Sequence, residues 1–297
     1  MQSILHKVIG PKEVHPEKLD GYIAIVTGGA LGIGFEVSRA LAETPDAQIE
    51  WKECDLGSLA QVQSVFSALA SSLGRLDFLV LSAGINTNQY GLDADGIDRH
   101  FGVNFLGHFY VCNLLWPLIR KTSKMPDTPA PRVVFEASEM HRMAPNNVHF
   151  ASLQEINDPD FGPTHLYART KLAMIIFAKF GLVGKVVKKN EDNIVAVSVN
   201  TAMQQQWKDA YPGITGKLLS WTMLAGGRDV EQGSYSALWA LTAPEIEEKS
   251  MNGWYFSDPG TPGKESSLTS DPALGTALWE LSERLIKEKL GDEALVD

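Results

Sequence analysis

Only two cysteines, Cys54 and Cys112, occur among 297 residues. That is too few for a disulfide framework, and neither shares with a histidine a spacing that resembles a metal site, so no metal is expected. Such usage suits a reducing compartment and makes a cytoplasmic location the expectation. Long apolar runs are missing too: nothing reaches the about 20 uninterrupted apolar residues of a membrane span. The mixed, charged stretch from Met1 to Asp20 does not read as a signal peptide. Positive charge is in deficit, with 26 Lys and Arg against 36 Asp and Glu and a formal net charge of −10. A surface of that sign repels phosphate backbones and anionic membranes, which argues against a nucleic-acid partner.

What is present alternates. Tyr22-Ile-Ala-Ile-Val-Thr27 is a short β-rich run that ends in glycines, and residues 32–43 then read as a helix. Ile49 to Cys54 reads as a second strand. Ser58 with Gln61 forms a capping-box pattern before a helix whose Leu59, Val62, Phe66, Leu69 and Leu73 share one face. Leu76–Leu81, Arg132–Ala137, Asn193–Val199 and Gly253–Phe256 read as further strands. Helical stretches are expected at about 96–120, 165–187 and 232–241, and in the tail at Leu274, Leu278, Leu281 and Leu285. This alternation predicts an α/β fold, a Rossmann-like, doubly wound and mostly parallel sheet flanked by helices. Neither the Pro-rich 125–131 nor the Gly/Ser-rich 259–270 divides two self-sufficient cores, so residues 1–297 are read as one domain.

Two motifs carry chemistry. Thr27-Gly28-Gly29-Ala30-Leu31-Gly32-Ile33-Gly34 lies between the first strand and its helix. There, glycines let the backbone approach a pyrophosphate, and free N–H groups at the helix start attract its charge. The bland alternative is a tight turn. Tyr167-Ala-Arg-Thr-Lys171 sits within a helix, and a spacing of four puts phenol and ammonium on one face. An ammonium there can lower the phenol pKa towards a value useful for proton transfer. Its bland alternative is a solvated helical pair. Ser138, ending one strand, and Leu81-Ser82-Ala83-Gly84, ending another, face the same crevice in such a sheet, with Asn104 on the intervening helix.

In this order the Gly-rich turn, the Ala-Gly, the Asn, the Ser and the Tyr-x3-Lys resemble the short-chain dehydrogenase/reductase family over roughly residues 20–258. Ser138-Glu-Met-His141 and the long Ser-to-Tyr loop are most similar to its retinol-dehydrogenase-like and fungal secondary-metabolism members. The resemblance implies an oxidoreductase that moves a hydride between a nicotinamide dinucleotide and a small carbonyl or alcohol substrate. It makes Tyr167 the proton donor or acceptor and Ser138 the hydrogen-bonding partner of the substrate oxygen. Lys171 would bind the nicotinamide ribose and lower the Tyr167 pKa, and Asn104 would hold a water of the proton relay. Thr27, Gly28, Leu31, Gly32, Ile33, Gly34, Ser82, Ala83, Gly84 and Thr201 would meet the cofactor, NADP being favoured with NAD left open. A homo-oligomer is compatible with it.

The chain departs from the family at two places. Only Glu43-Thr-Pro-Asp-Ala47 stands where a strand and helix are normally inserted, so the sheet should be one strand short. Strand Gln48–Cys54 is then expected to pair directly with Tyr22–Thr27, carrying Asp55 towards the adenosine ribose. Asp55 has two readings, an adenine contact by resemblance and a ribose-binding acid by its distance from Gly34. After Val197-Ser-Val199 the family's Pro-Gly loop is absent, and Asn200-Thr201-Ala202-Met203 follows at once. Residues 203–230, with Trp207, Tyr211, Leu218 and Trp221, fall where a lid for an apolar substrate is expected. A catalytically impaired relative that binds a small molecule or protein is the competing reading. A Rossmann-type methyltransferase would have no use for the Tyr-x3-Lys pair. His141 reads as a solvated loop histidine.

Overall fold

In the computed structural model, residues 11–17, 19–87, 89–200 and 229–296 are described. Six strands follow one another in chain order across a single sheet: β1 (Ala24–Thr27), β2 (Phe78–Leu81), β3 (Arg132–Ala137), β4 (Val195–Asn200), β5 (Tyr255–Asp258) and β6 (Thr261–Pro262). The first five are parallel, and only the two-residue β6 runs antiparallel. Every residue of β2 and β3 is buried, as expected where helices cover both faces.

Alternation along the strands divides the core in two. Leu79, Leu81, Val133, Phe135 and Ala196 face one layer, built by α2 (Leu59–Ser72), α3 (Gly107–Ser123), α4 (Pro163–Ile176) and α6 (Pro272–Leu290). Val80, Val134, Val197 and Val199 face the other, where α1 (Gly32–Leu41) and α5 (Val230–Thr242) pack. Two of the expected helices contain wider turns: Gly102–Leu106 precedes α3, and Phe177–Val187 continues α4, both as π-helix.

The expected second strand does not form. Gln48 to Cys54 has no ladder partner among the described residues, and β1 is an edge strand whose one neighbour is β2. Ile49 is 77% exposed and Trp51 70%. The reason lies in the alternation: Gln48, Glu50 and Lys52 would point into one helix layer if Ile49 and Trp51 pointed into the other. Burying such groups costs more than the ladder bonds return, and Glu50 instead pairs with Lys52 in solvent. The capping box is also redrawn. Ser58 makes no side-chain cap; Asp95 accepts the Leu59 N–H at 2.7 Å, and Gln61 accepts the Asp55 N–H at 3.1 Å.

Candidate active site

The glycine turn follows β1 as expected, and its glycines are needed for contact as well as conformation. Gly28 has φ +68°, and a Cβ there would lie 2.8 Å from the Ala83 Cα; at Gly34 it would lie 2.6 Å from the Gly28 carbonyl oxygen. The turn thus closes on itself and on the Ser82-Ala83-Gly84 segment. No side chain caps α1, whose first turn holds Gly32, Ile33 and Gly34. An uncapped helix start beside backbone kept bare of Cβ atoms fits a pyrophosphate. Leu31 is 83% exposed, whereas the Ile33 side chain is buried in the core, so only its backbone is available to a ligand.

Thr27 ties this turn to α3. Its hydroxyl accepts the N–H groups of Ser82 at 3.0 Å and Ala83 at 3.1 Å. It stands 2.8 Å from Nε2 of His108, whose Nδ1 is 3.0 Å from the Asn104 carbonyl. A carbonyl only accepts, so Nδ1 carries the proton and Nε2 accepts from Thr27. Burial lowers the His108 pKa to about 4 and keeps the ring neutral. The side-chain amide of Asn104 clasps Ile85, accepting its N–H at 2.7 Å and donating to its carbonyl at 2.9 Å, and also donates to the Thr170 hydroxyl at 3.2 Å. Asn104 thereby joins the loop after β2 to α4.

That helix starts at Pro163 behind Gly162, whose φ is +76°, and is buried on nearly every side. Arg169 anchors it, donating to the carbonyls of Glu155 at 3.0 Å and Ile156 at 2.7 Å. Tyr167 and Lys171 share a face, with Nζ 5.5 Å from the ring centroid. Tyr167 Oη makes no hydrogen bond among the described residues, although the Ser138 hydroxyl stands close enough to pull its pKa down. Burial, and then Glu136, outweigh that pull and push the phenol up, not down as expected. Lys171 Nζ donates to the Glu136 carbonyl oxygen at 2.7 Å. Burial lowers its pKa to about 8, with Glu136 opposing the fall. Ser138 ends β3, and its Oγ accepts the Met140 N–H at 3.2 Å, so its proton stays available.

Sequence reasoning missed two residues. Glu136 is 2% exposed inside β3, and its carboxylate accepts from the Ser82 hydroxyl at 2.6 Å. His108 joins the turn to Asn104. Each carried a signal, a charge inside the apolar run Val133-Val134-Phe135-Glu136-Ala137 and a histidine four residues after Asn104 on one helix face. His141 is buried rather than solvated: its Nδ1 donates to the Ser138 carbonyl at 2.7 Å, and its Nε2 accepts the Ser266 N–H at 3.3 Å.

Asp55 does not follow the expected route. With no strand before it beside β1, the shift towards the ribose loses its basis, and the exposed Asp55 accepts the Gly57 N–H at 2.8 Å in the turn before α2. Thr201 and the lid residues 203–228 lie outside the described residues. Asp229 and Val230 open α5, Asp229 accepting the Gln232 N–H at 2.8 Å. No cluster of side chains that could hold a metal occurs among the described residues, and no helix among them is long and apolar enough to cross a membrane.

Residues 29–135 match a family model described as enoyl-(acyl carrier protein) reductase. The chain is 30% identical over 312 residues to the WW domain-containing oxidoreductase of Gallus gallus, covering 92% of this chain and 70% of that protein. It is 28% identical over 310 residues to the short chain dehydrogenase/reductase dpchH of Colletotrichum higginsianum, covering 91% and 76%. Among solved structures, a short chain dehydrogenase from Burkholderia cenocepacia in complex with NADP superposes with a TM-score of 0.59 at 19% identity, covering 82% of this chain and 99% of that one. At that identity the likeness shows the fold.

Proposed function

Because the chain belongs to the short-chain dehydrogenase/reductase family, a family of oxidoreductases, we propose that it reduces the carbonyl of a small apolar substrate with a nicotinamide dinucleotide, NADP ahead of NAD. The observation that carries this is the meeting of Ser138, Tyr167 and Lys171 at the end of β3, beside the turn that ends β1. Gly28, Gly32 and Gly34 would cradle the pyrophosphate. Ser82, Ala83, Gly84 and Lys171 would line the nicotinamide half. The dinucleotide, when bound, supplies or takes up the hydride.

The side chains do the rest. Ser138 donates a hydrogen bond to the substrate oxygen and orients it. Tyr167 gives its phenolic proton to the same oxygen as charge develops there. A phenol held above its ordinary pKa keeps its proton at neutral pH and has it to give. The Lys171 ammonium beneath the ring steadies the phenolate until a proton returns. The preference for NADP comes from the family resemblance, and the missing second strand is in keeping with it: among the described residues no acid ends a strand beside β1 to repel a 2′-phosphate. One domain, a lid over 203–230 and a cytoplasmic location complete the proposal. Cys54 and Cys112, both free, fit a reducing compartment.

The test is turnover of a panel of apolar ketones with NADPH and with NADH by the wild type and Tyr167→Phe. Expected is ketone-dependent oxidation of NADPH that the variant loses. A variant that retains more than about a tenth of the rate overturns the acid assignment.

A further inference from the structure

The chain is pinned where it leaves β3, and the Ser138 hydroxyl sits among the pins. The Glu139 N–H donates to Asn200 Oδ1 at 3.0 Å, and the Met140 N–H to Ser138 Oγ at 3.2 Å. The Ser138 carbonyl takes two donors from one residue, the His141 backbone N–H at 3.0 Å and its ring Nδ1 at 2.7 Å. His141 is 0% exposed, yet the proton transfer described above makes no use of it. Its ring meets that of Tyr255 on β5 edge to face, with centroids 5.1 Å apart, and Tyr255 Oη donates to Glu139 Oε1 at 2.8 Å. The far nitrogen reaches the segment after β6, where Nε2 accepts the Ser266 N–H at 3.3 Å. That segment is itself held: the Ser266 carbonyl accepts from the Thr269 hydroxyl at 2.6 Å, and Glu265 pairs with Lys179.

We propose that His141 is a positioning residue for Ser138: its neutral ring braces the Ser138 peptide against the segment after β6 and so fixes where the Ser138 hydroxyl points. This rests on the reading of Ser138 as the group that orients the substrate oxygen. A carbonyl only accepts and a backbone N–H only donates, so the two bonds require an uncharged imidazole with its proton on Nδ1. Burial, which lowers the His141 pKa, holds the ring in that state. Packing against Tyr255 would be served as well by phenylalanine; only the bridge from Ser138 to Ser266, 125 residues away on one side, calls for both ring nitrogens. The brace reaches the hydroxyl through the backbone. Ser138 Oγ can accept the Met140 N–H only while the peptide between Ser138 and Glu139 keeps its orientation, and the Nδ1 bond holds the carbonyl of that peptide.

The experiment compares the full-length wild type with His141→Phe, which keeps a ring against Tyr255 but neither hydrogen bond, and with His141→Asn, whose amide N–H can replace that of Nδ1. With an apolar ketone, His141→Phe should lose about tenfold or more in kcat while NADPH binding saturates as in the wild type, and His141→Asn should recover most of that loss. In a Ser138→Ala background His141→Phe should cost little more, because the brace has no hydroxyl left to aim. An equal loss in both backgrounds, or no recovery in His141→Asn, overturns the proposal. Two further readings need no turnover. The 15N-histidine spectrum of the wild type should show the Nδ1–H tautomer at His141, assigned by its loss in His141→Asn; an Nε2–H tautomer overturns the proposal. Hydrogen exchange at the Met140 amide, which reports its bond to Ser138 Oγ, should quicken about tenfold or more in His141→Phe, and an unchanged rate overturns the proposal. If His141→Phe does not fold, His141→Leu takes its place, and if neither folds the tautomer decides. A wild type that reduces no ketone overturns the proposed function instead, and the tautomer and the Met140 exchange still decide the role of His141.

Discussion

At the scale of single residues, the candidate site was legible where its chemistry is local. Tyr167 and Lys171 are four apart on one helix, which pairs them, and Ser138 closes a recognisable strand whose end faces the same crevice, while their roles came from the family resemblance. Glu136 and His108 act through partners 54 and 81 residues away, Ser82 and Thr27, and no local pattern announces such contacts. Lys171→Ala should reduce both kcat and NADPH affinity, because it removes the phenolate's support and a ligand of the ribose; a variant with wild-type affinity would confine the lysine to the chemistry. His108 makes a separate expectation about pH. Its folded pKa is about 4 against an ordinary 6.5, so between these values the unfolded chain binds the extra proton and acid favours unfolding. The stability that neutral His108 contributes is fully present above about pH 6.5 and lost as pH falls towards 4, by about 3 kcal/mol. Denaturant unfolding of the wild type and His108→Gln across that range checks this. The gap between them should shrink on acidification, and a pH-independent gap would mean the ring is already charged in the fold.

At the scale of elements, five of the expected strands form within a few residues of their reading, and the failure at 48–54 is instructive. Alternation of Ile49 and Trp51 with Gln48, Glu50 and Lys52 has the right period, yet a period does not say whether a second face can be buried. Amide hydrogen exchange should show 48–54 unprotected while Phe78–Leu81 exchanges slowly; comparable protection would place 48–54 in a ladder. The capping residues were misread for a similar reason, since Asp95 reaches the start of α2 from a distant loop. The glycine turn makes a sharper expectation. Gly34→Ala puts a Cβ 2.6 Å from the backbone oxygen of Gly28, which no side-chain motion relieves. It should cost about 1–3 kcal/mol of stability and at least about tenfold in NADPH affinity. Unchanged affinity, read by nicotinamide fluorescence, would separate the turn from the cofactor.

For the molecule as a whole, the alternation of strands and helices made a mostly parallel, doubly covered sheet readable, because each βαβ unit repeats the same pattern. The edge was not readable. Whether β1 gains a neighbour depends on the balance between ladder bonds and the burial of polar side chains, a sum over both helix layers rather than over one segment. That edge also bears on cofactor choice, since among the described residues no strand beside β1 presents an acid to the ribose. The measurement that bears most directly on the whole reading is a fluorescence titration of the purified protein with NADPH and NADH, followed by addition of an apolar ketone. Saturable binding of both, tighter for NADPH, and ketone-dependent loss of the signal that Tyr167→Phe abolishes are expected. Failure of both dinucleotides to bind at millimolar concentration, in a chain whose circular dichroism shows it folded, would contradict it.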